Sequence, residues 1–416
     1  ILSWQKGADT DLFAFAGAGT PDDPFRISTL TDLGHLSRLP ATWNDHFLQT
    51  ADLDASATAT WDDLDEDGDG IPFNDPADAV PADTSPGDNS PEDTGFLPIG
   101  RAAPHFTGTY DGGGHLLTGL AIRRPAADSV GLFSVIKGGA VKDLGLTAAD
   151  VQGGSRSGLL AGVLDTASVA QGVFTAGTLQ GADDVGPIAG LIRSAALANA
   201  YTHADVTGRD RVGGLAGSAT GAILGYLYSR SSLAGTGSVG GALGASDAST
   251  LTSVYWDAEA DSLPGTSPGD SQFGAEARAT SDMIYFALYT DAGFDFAGET
   301  ANGTDDIWDA DQLASVNDGY PLLAWQTQAD GILTLFSAGQ GTPARPYEIA
   351  TLQDLAFLAQ NPAYWDAHFR QTADIDASAT ATWDDADTDS DGNRYNDPDD
   401  ADATGGNQGF PGIGQE

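Results

Sequence analysis

The 416-residue chain contains no cysteine. Disulfides and thiolate metal sites are therefore excluded. Basic residues are scarce: 17 Lys and Arg stand against 60 Asp and Glu, a formal net charge of −43. Charge this negative excludes electrostatic binding of nucleic acid or anionic lipid. It favours solubility, a saline habitat or the binding of many cations. No apolar run approaches the ~18 residues of a membrane span. No signal peptide opens the chain, and the start at Ile1-Leu2-Ser3-Trp4 and the end both read as cuts through a longer polypeptide. What is present is 41% hydrophobic, too apolar for a disordered acidic tail, and includes 54 glycines without collagen-like spacing.

The chain repeats at two scales. Thr20-Pro21 recurs as Thr342-Pro343, and the match runs without a gap to Asp78 and Asp400. Trp43, His46, Phe47, Gln49 and Trp61 answer Trp365, His368, Phe369, Gln371 and Trp383; Leu2-Ser3-Trp4-Gln5 answers Leu323-Ala324-Trp325-Gln326. Residues 1–11 thus read as the end of one unit, 12–332 as a complete unit, and 333–416 as the start of the next. Within the unit, Gly131, Gly158, Gly186, Gly213 and Gly240 recur every 27 or 28 residues, most in small apolar clusters. An alternating stretch follows each, and an apolar residue closes each coil with a glycine two further on: Val151/Gly153, Leu179/Gly181, Val206/Gly208, Leu233/Gly235. Two short strands per repeat, with glycines supplying positive φ at the corners, predict an all-β solenoid: one coil cannot bury its inward face alone, whereas stacked coils form a continuous core. A β-sandwich would show turns every 8–12 residues instead.

These coils resemble the GLUG motif of bacterial surface proteins. The nearest stretch is Gly213-Gly214-Leu215-Ala216-Gly217, with Leu227-Tyr228-Ser229 and Val239-Gly240-Gly241. Flanking segments such as Phe106-Thr107-Gly108-Thr109-Tyr110-Asp111-Gly112-Gly113-Gly114-His115 and Gly319-Tyr320-Pro321-Leu322-Leu323-Ala324-Trp325 are similar to the same family. The resemblance implies a right-handed parallel β-helix in a large secreted or cell-surface, adhesin-like protein, and no catalytic residues. A few short helices are expected in the end sections, near Leu30–Leu39 and Asp309–Val316.

A long acidic insertion departs from that pattern. It carries Asp65, Asp67, Asp69, Gly70, Asn74, Asp75 and Asp78 in the first copy. The second carries Asp387, Asp389, Asp391, Gly392, Asn396, Asp397 and Asp400. A D-x-D-x-D-G core sets carboxylates on one side of a tight loop, the donor type that Ca2+ requires. The loop is not an EF-hand, because its twelfth position is Pro76 rather than a bidentate glutamate; it is more similar to the calcium loops of thrombospondin type 3 repeats or dockerins. Leu64, Glu66, Gly68, Ile71 and Pro72 change between copies while the acidic positions persist. A solvated acidic loop is the competing reading.

Other residues carry less. His46 and His368 read as packed histidines. Asp143, Asp183 and Asp184 are candidate acids only by charge, and no nucleophile elbow, P-loop or HExxH is present. Trp43, Trp61, Trp256, Trp308 and Trp325 read as core or cap residues rather than a sugar platform. The expected organisation is 12–105 as an N-terminal section with the calcium loop, 106–256 as regular coils, and 257–332 as cap and junction. The expected function is a tandem structural repeat of a large extracellular or cell-surface protein, a calcium-stabilised stalk, filament or adhesin rather than an enzyme. Its partners would be neighbouring repeat units, and cell-surface glycans or other cells. The alternative is a carbohydrate-binding or carbohydrate-cleaving β-helix module.

Overall fold

A computed structural model describes residues 15–61, 94–260, 274–284, 286–297, 302–309, 317–326, 343, 346–350, 352–360, 364–382, 409–410 and 413. Two compact units divide the chain, Ile1–Met283 and Ile284–Glu416.

The first unit opens with β1 (Phe25–Ile27), α1 (Leu30–Arg38), β2 (His46–Gln49), β3 (Leu53–Asp54) and β4 (Thr94–Gly95). Helix α1 starts at a capping box: Asp32 N donates to Thr29 Oγ1 at 3.2 Å and Thr29 N to Asp32 Oδ2 at 2.9 Å. Its Leu33 and Leu36 are fully buried in the same core as the coils. The coils follow: β5 (Thr109–Thr118), β6 (Ala121–Arg124), β7 (Phe133–Lys137), β8 (Ala140–Gly153), β9 (Ala161–Asp165) and β10 (Val169–Gln180). Next come β11 (Asp183–Val185), β12 (Ala189–Arg193), β13 (Ala196–Thr207), β14 (Asp210–Gly213), β15 (Ala216–Thr220), β16 (Ile223–Ser229) and β17 (Ser232–Ala234). The unit closes with β18 (Val239–Gly240), β19 (Leu243–Asp247), β20 (Thr250–Asp257), β21 (Glu276–Arg278) and the short helix α2 (Thr280–Met283).

This is a parallel β-solenoid of about five turns. Each full coil contributes to three sheets: a long one through β5-β8-β10-β13-β16-β20, a five-stranded one through β7-β9-β12-β15-β19, and a short one through β11-β14-β18. The pairing is parallel and in register one repeat apart, so Val141, Ala170, Leu197 and Leu224 lie one above another, all buried. Burying an aliphatic side chain of that size contributes roughly 1.5–3 kcal/mol, and no single coil encloses those side chains by itself. At the far end Trp256 takes the register position of Thr202 and Ser229, and its ring covers Gly241.

Two expectations about the coil are corrected. One strand of each repeat is short, five residues in β7, β9, β12, β15 and β19, but the other is long: β8, β10 and β13 run 14, 12 and 12 residues, each with a bend. The bend sits at Asp143, Gly172, Asn199, Tyr226 and Ser253, which stack one coil apart with φ of 50, 61, 50, 58 and 51°. The second correction concerns Gly131, Gly158, Gly186 and Gly213, none of which has a positive φ. That conformation falls two residues earlier, on Ser129, Arg156, Asp184 and Arg211, at 63, 61, 56 and 53°. The glycines are needed because backbone passes where a side chain would be: a Cβ on Gly131 would lie 2.8 Å from Gly158 O, and one on Gly213 would overlap Ala216 O. Gly162, Gly190, Gly217 and Gly244 complete the corner, each lying against the backbone of one of the four left-handed residues.

The second unit contains α3 (Phe286–Thr290), β22 (Trp308–Asp309), β23 (Leu322–Leu323), β24 (Tyr347–Ile349), α4 (Leu352–Gln360) and β25 (Phe369–Gln371). Asp309, expected in a helix, lies in β22 and pairs antiparallel with Leu322; residues 310–316 fall outside the described residues. Phe294, Phe296 and Trp308 are fully buried around β22.

Candidate functional site

The few cations of the coils join one coil to the next. Arg193 Nε and Nη2 donate to Asp165 at 2.9 and 2.8 Å, with Lys137 Nζ 3.6 Å away on the other side. These residues occupy one register position in β7, β9 and β12, so positive, negative and positive charges alternate along the stack. Asp165 is buried, and the Arg193 guanidinium holds its carboxyl well below the usual range. At the left-handed corner, Arg211 donates to Asp184 at 2.5 and 2.9 Å, and Arg156 donates to Ser129 at 3.1 Å and to Asp128 at 2.9 Å. Arg209 pairs with Asp183, and Arg123 with Asp150 at 2.8 Å.

These pairs decide how the candidate acids act. Asp183 and Asp184 are each gripped by an arginine of the next coil, and Arg209 lowers the Asp183 pKa, the reverse of what a general acid requires. Asp143 behaves otherwise. Burial raises its pKa, against the opposing effect of Lys142, whose ammonium lies 2.6 Å from Asp111 and 3.8 Å from Asp143. The lysine lies between both carboxylates and offsets one of their two formal negative charges. Sequence reading missed these inter-coil pairs, although the signal was present as Asp and Arg set about one coil apart.

An aromatic ladder runs along the long sheet. Phe174, Tyr201 and Tyr228 stack with ring centroids 5.0 Å apart and planes within 4° and 3° of parallel. Tyr255 follows in register, and the Arg278 guanidinium lies 5.5 Å above its ring. All four rings are buried.

The most specific arrangement is one that occurs twice. In the first copy Trp43 Nε1 donates to Leu36 O at 2.7 Å, and Gln49 Nε2 to Ala51 O at 2.9 Å. Ser56 N donates to Asp54 Oδ1 at 2.9 Å and Thr58 Oγ1 to Ala55 O at 2.6 Å. At an offset of 322 residues, Trp365 Nε1 donates to Leu358 O at 2.8 Å, and Gln371 Nε2 to Ala373 O at 2.8 Å. Ser378 N donates to Asp376 Oδ1 at 2.9 Å and Thr380 Oγ1 to Ala377 O at 2.8 Å. The strand pairs match too: Phe25, Arg26 and Ile27 with Phe47, Leu48 and Gln49, and Tyr347, Glu348 and Ile349 with Phe369, Arg370 and Gln371. Hydrogen bonds from Ser56 and Ser378 lower the pKa of Asp54 and Asp376 in parallel.

Asp65, Asp67, Asp69, Asp75 and Asp78, and Asp387, Asp389, Asp391, Asp397 and Asp400, all lie outside the described residues. Among the described residues no group of three or more His, Asp or Glu is arranged to hold a metal ion. Of the two histidines expected to pack, His46 is half-buried at the start of β2 and His368 is exposed. Trp43, Trp61 and Trp308 are buried as expected, whereas Trp256 and Trp325 are half-buried.

No family model matches the chain, so the GLUG likeness rests on the residues quoted for it. Halomucin of Haloquadratum walsbyi is 32% identical over 197 residues, which is 46% of this chain and 2% of that protein. The chain thus spans only a small fraction of the curated relative it matches. A crystal structure from Bacteroides ovatus, provisionally assigned as an immunoglobulin A1 protease, aligns with a TM-score of 0.46 and 17% identity, covering 75% of this chain and 95% of that one. No helix of the described residues is long and apolar enough to cross a membrane.

Proposed function

We propose that the chain is a structural repeat of a large extracellular surface protein, a stalk or adhesin built from tandem units of about the 322-residue period. The observation that carries this is the bond-for-bond recurrence of the Trp43, Gln49, Ser56 and Thr58 hydrogen bonds at Trp365, Gln371, Ser378 and Thr380. A solenoid whose charges are spent in joining coil to coil suits a load-bearing element, and arginine pairing of Asp183 and Asp184 argues against catalysis by those two residues. The likeness to halomucin supports a surface location. In this reading residues 12–332 are one unit, neighbouring units are its first partners, and glycans or other cells are its outer ones. The ten aspartates of the two acidic insertions would hold Ca2+ through carboxylate oxygens and cancel the repulsion among them; the support for this is their retention between the copies while Leu64, Glu66, Gly68, Ile71 and Pro72 change.

Antibodies raised against residues 94–260 test the reading on intact cells. Labelling without permeabilisation, removed by external protease, is expected; labelling only after permeabilisation overturns it.

A further inference from the structure

We infer that the segment 302–306 of the second unit holds a calcium ion on the Asp295 carboxylate. This site is separate from the two acidic insertions and does not depend on the surface-repeat reading.

Between Arg278 and Arg345 the chain has ten Asp or Glu and no Lys, Arg or His. Asp305 and Asp306 keep their charge exposed, but Asp295 does not: it is 9% exposed, between the fully buried Phe294 and Phe296. Its main chain is fixed to β22, since Trp308 N donates to Asp295 O at 2.9 Å. Asp309, 5% exposed, places a second buried carboxylate on that strand. The Asp295 carboxylate is incompletely matched. Its Oδ2 accepts from Asp305 N at 3.1 Å, whereas its Oδ1 is buried and accepts no hydrogen bond. A buried carboxylate persists in a fold when a cation or a full set of donors compensates it. The stretch offers no basic side chain for the purpose.

Both carboxylate oxygens face the segment 302–306. Gly303 lies directly against them with a φ of 150°; a Cβ there would overlap Asp295 Oδ2 and lie 3.1 Å from Oδ1. Asn302 Nδ2 donates to Thr290 O at 2.7 Å and to Phe294 O at 3.3 Å, which fastens the segment to the end of α3 and to the residue before Asp295. The orphan oxygen therefore sits under a held piece of main chain whose next residues are Asp305 and Asp306. Oxygen donors without thiolate or imidazole select a hard cation. Calcium tolerates an irregular shell of six to eight oxygens, whereas magnesium demands a near-ideal octahedron. Among the described residues no three acidic side chains are assembled for a metal. Asp295 thus supplies the buried anchor, Asp305 a second carboxylate from the exposed side, and water the remaining oxygens. So open a shell sets the affinity in the weak range of extracellular calcium modules, roughly 10⁻⁴–10⁻³ M.

The test compares the 416-residue chain with its Asp295→Asn variant by amide hydrogen exchange at Ala297 and Trp308, in chelator and in calcium. Asparagine keeps an acceptor for Asp305 N and removes the charge. In chelator the variant should therefore exchange as slowly as the wild type or more slowly. Calcium at tenfold excess over Kd should slow the wild type about tenfold and leave these amides of the variant unchanged. Equilibrium dialysis with radioactive calcium should find one equivalent fewer on the variant, with the insertions still counted. Asp305→Asn, on an exposed side chain, should weaken the calcium response without altering exchange in chelator, and it carries the test if Asp295→Asn disrupts the unit. An equal calcium response at Ala297 and Trp308 in the wild type and in whichever variant carries the test, or equal slowing of the wild type by sodium chloride of matched ionic strength, overturns the inference. Neither outcome touches the surface labelling of cells, so this site fails separately from the surface-repeat reading.

Discussion

Arg156 and Ser129 hold the same left-handed corner one coil apart, with φ of 61 and 63°, and Arg156 Nε donates to Ser129 Oγ at 3.1 Å. A side chain other than glycine in this region carries a strain of roughly 1–2 kcal/mol. The hydrogen bond across the coils and the glycine at 190, against which the Arg156 backbone lies, offset it. The corner thus depends on the glycine that accommodates a turned residue on another coil, not on a glycine at the turn.

That dependence predicts opposite outcomes for two alanine substitutions. Gly213→Ala forces a methyl into Ala216 O, which is backbone and has no rotamer to move. A loss of about 2 kcal/mol or more is expected from overpacking. Gly225→Ala meets nothing closer than Thr252 O at 3.9 Å and has no positive φ. It should be neutral or stabilise by about 0.4–1 kcal/mol through the unfolded chain. Denaturant midpoints of the two variants measure the difference, and equal destabilisation would contradict the steric account.

Asp165 gives a pH signature. Its folded-state pKa lies below the unfolded value, so its stabilisation is present above the ordinary aspartate range near 4 and is lost as pH falls through the depressed folded value. Asp165→Asn should cost roughly 1.5–3 kcal/mol at pH 7. The gap between wild type and variant should narrow as pH falls below the ordinary aspartate range, because the unfolded wild-type chain then takes up a proton that the folded one does not. Urea melts from pH 7 to pH 2 follow this; a gap that stays constant would remove the ion pair as the cause.

Tyr201 sits between two rings, each with its centroid 5.0 Å away. Tyr201→Ala should cost roughly 3–5 kcal/mol, the range for deleting a buried aromatic. It should also speed amide exchange in the flanking strands β10 and β16 more than in β5. Uniform acceleration through all coils would mean that the ladder has no local role.

Calcium should act on the insertions and not on the coils. If the acidic loops bind only when folded, calcium at a hundredfold excess over Kd adds about 2.7 kcal/mol, and chelation lowers the melting temperature by the corresponding amount. Asp67→Ala with Asp69→Ala should remove one site's share of bound calcium in isothermal titration. Identical melting with and without chelator would leave the insertions as solvated charge.

The period was legible in the sequence because the requirement it reports is purely steric. Gly131, Gly158, Gly186 and Gly213 recur wherever backbone approaches too closely for a Cβ, whichever residues surround them. The corner itself was not legible, because Ser129, Arg156, Asp184 and Arg211 share a conformation but no chemistry. The bend at Asp143, Gly172, Asn199, Tyr226 and Ser253 was hidden likewise, although Asp, Gly and Asn are types that favour it. Helix α1 was legible from its apolar spacing, and its Thr29–Asp32 capping box explains where it starts. In the candidate site, recurrence at 322 residues marked the paired modules, but the role of Gln49 was invisible because its partners Tyr110 and Leu116 lie 61 and 67 residues away.

The inter-coil hydrogen bonds in the long sheet run from each strand to the one a repeat later, along the direction in which the coils stack. A pull along that direction therefore loads the bonds end-on and in series, and the terminal coil, paired on one side only, peels first. Each peeled coil converts one ~4.8 Å step between strands into about 27 residues of slack, on the order of 90 Å of extended chain. Such a solenoid yields in discrete lengths, and under tension it acts as a shock absorber that gives way one turn at a time.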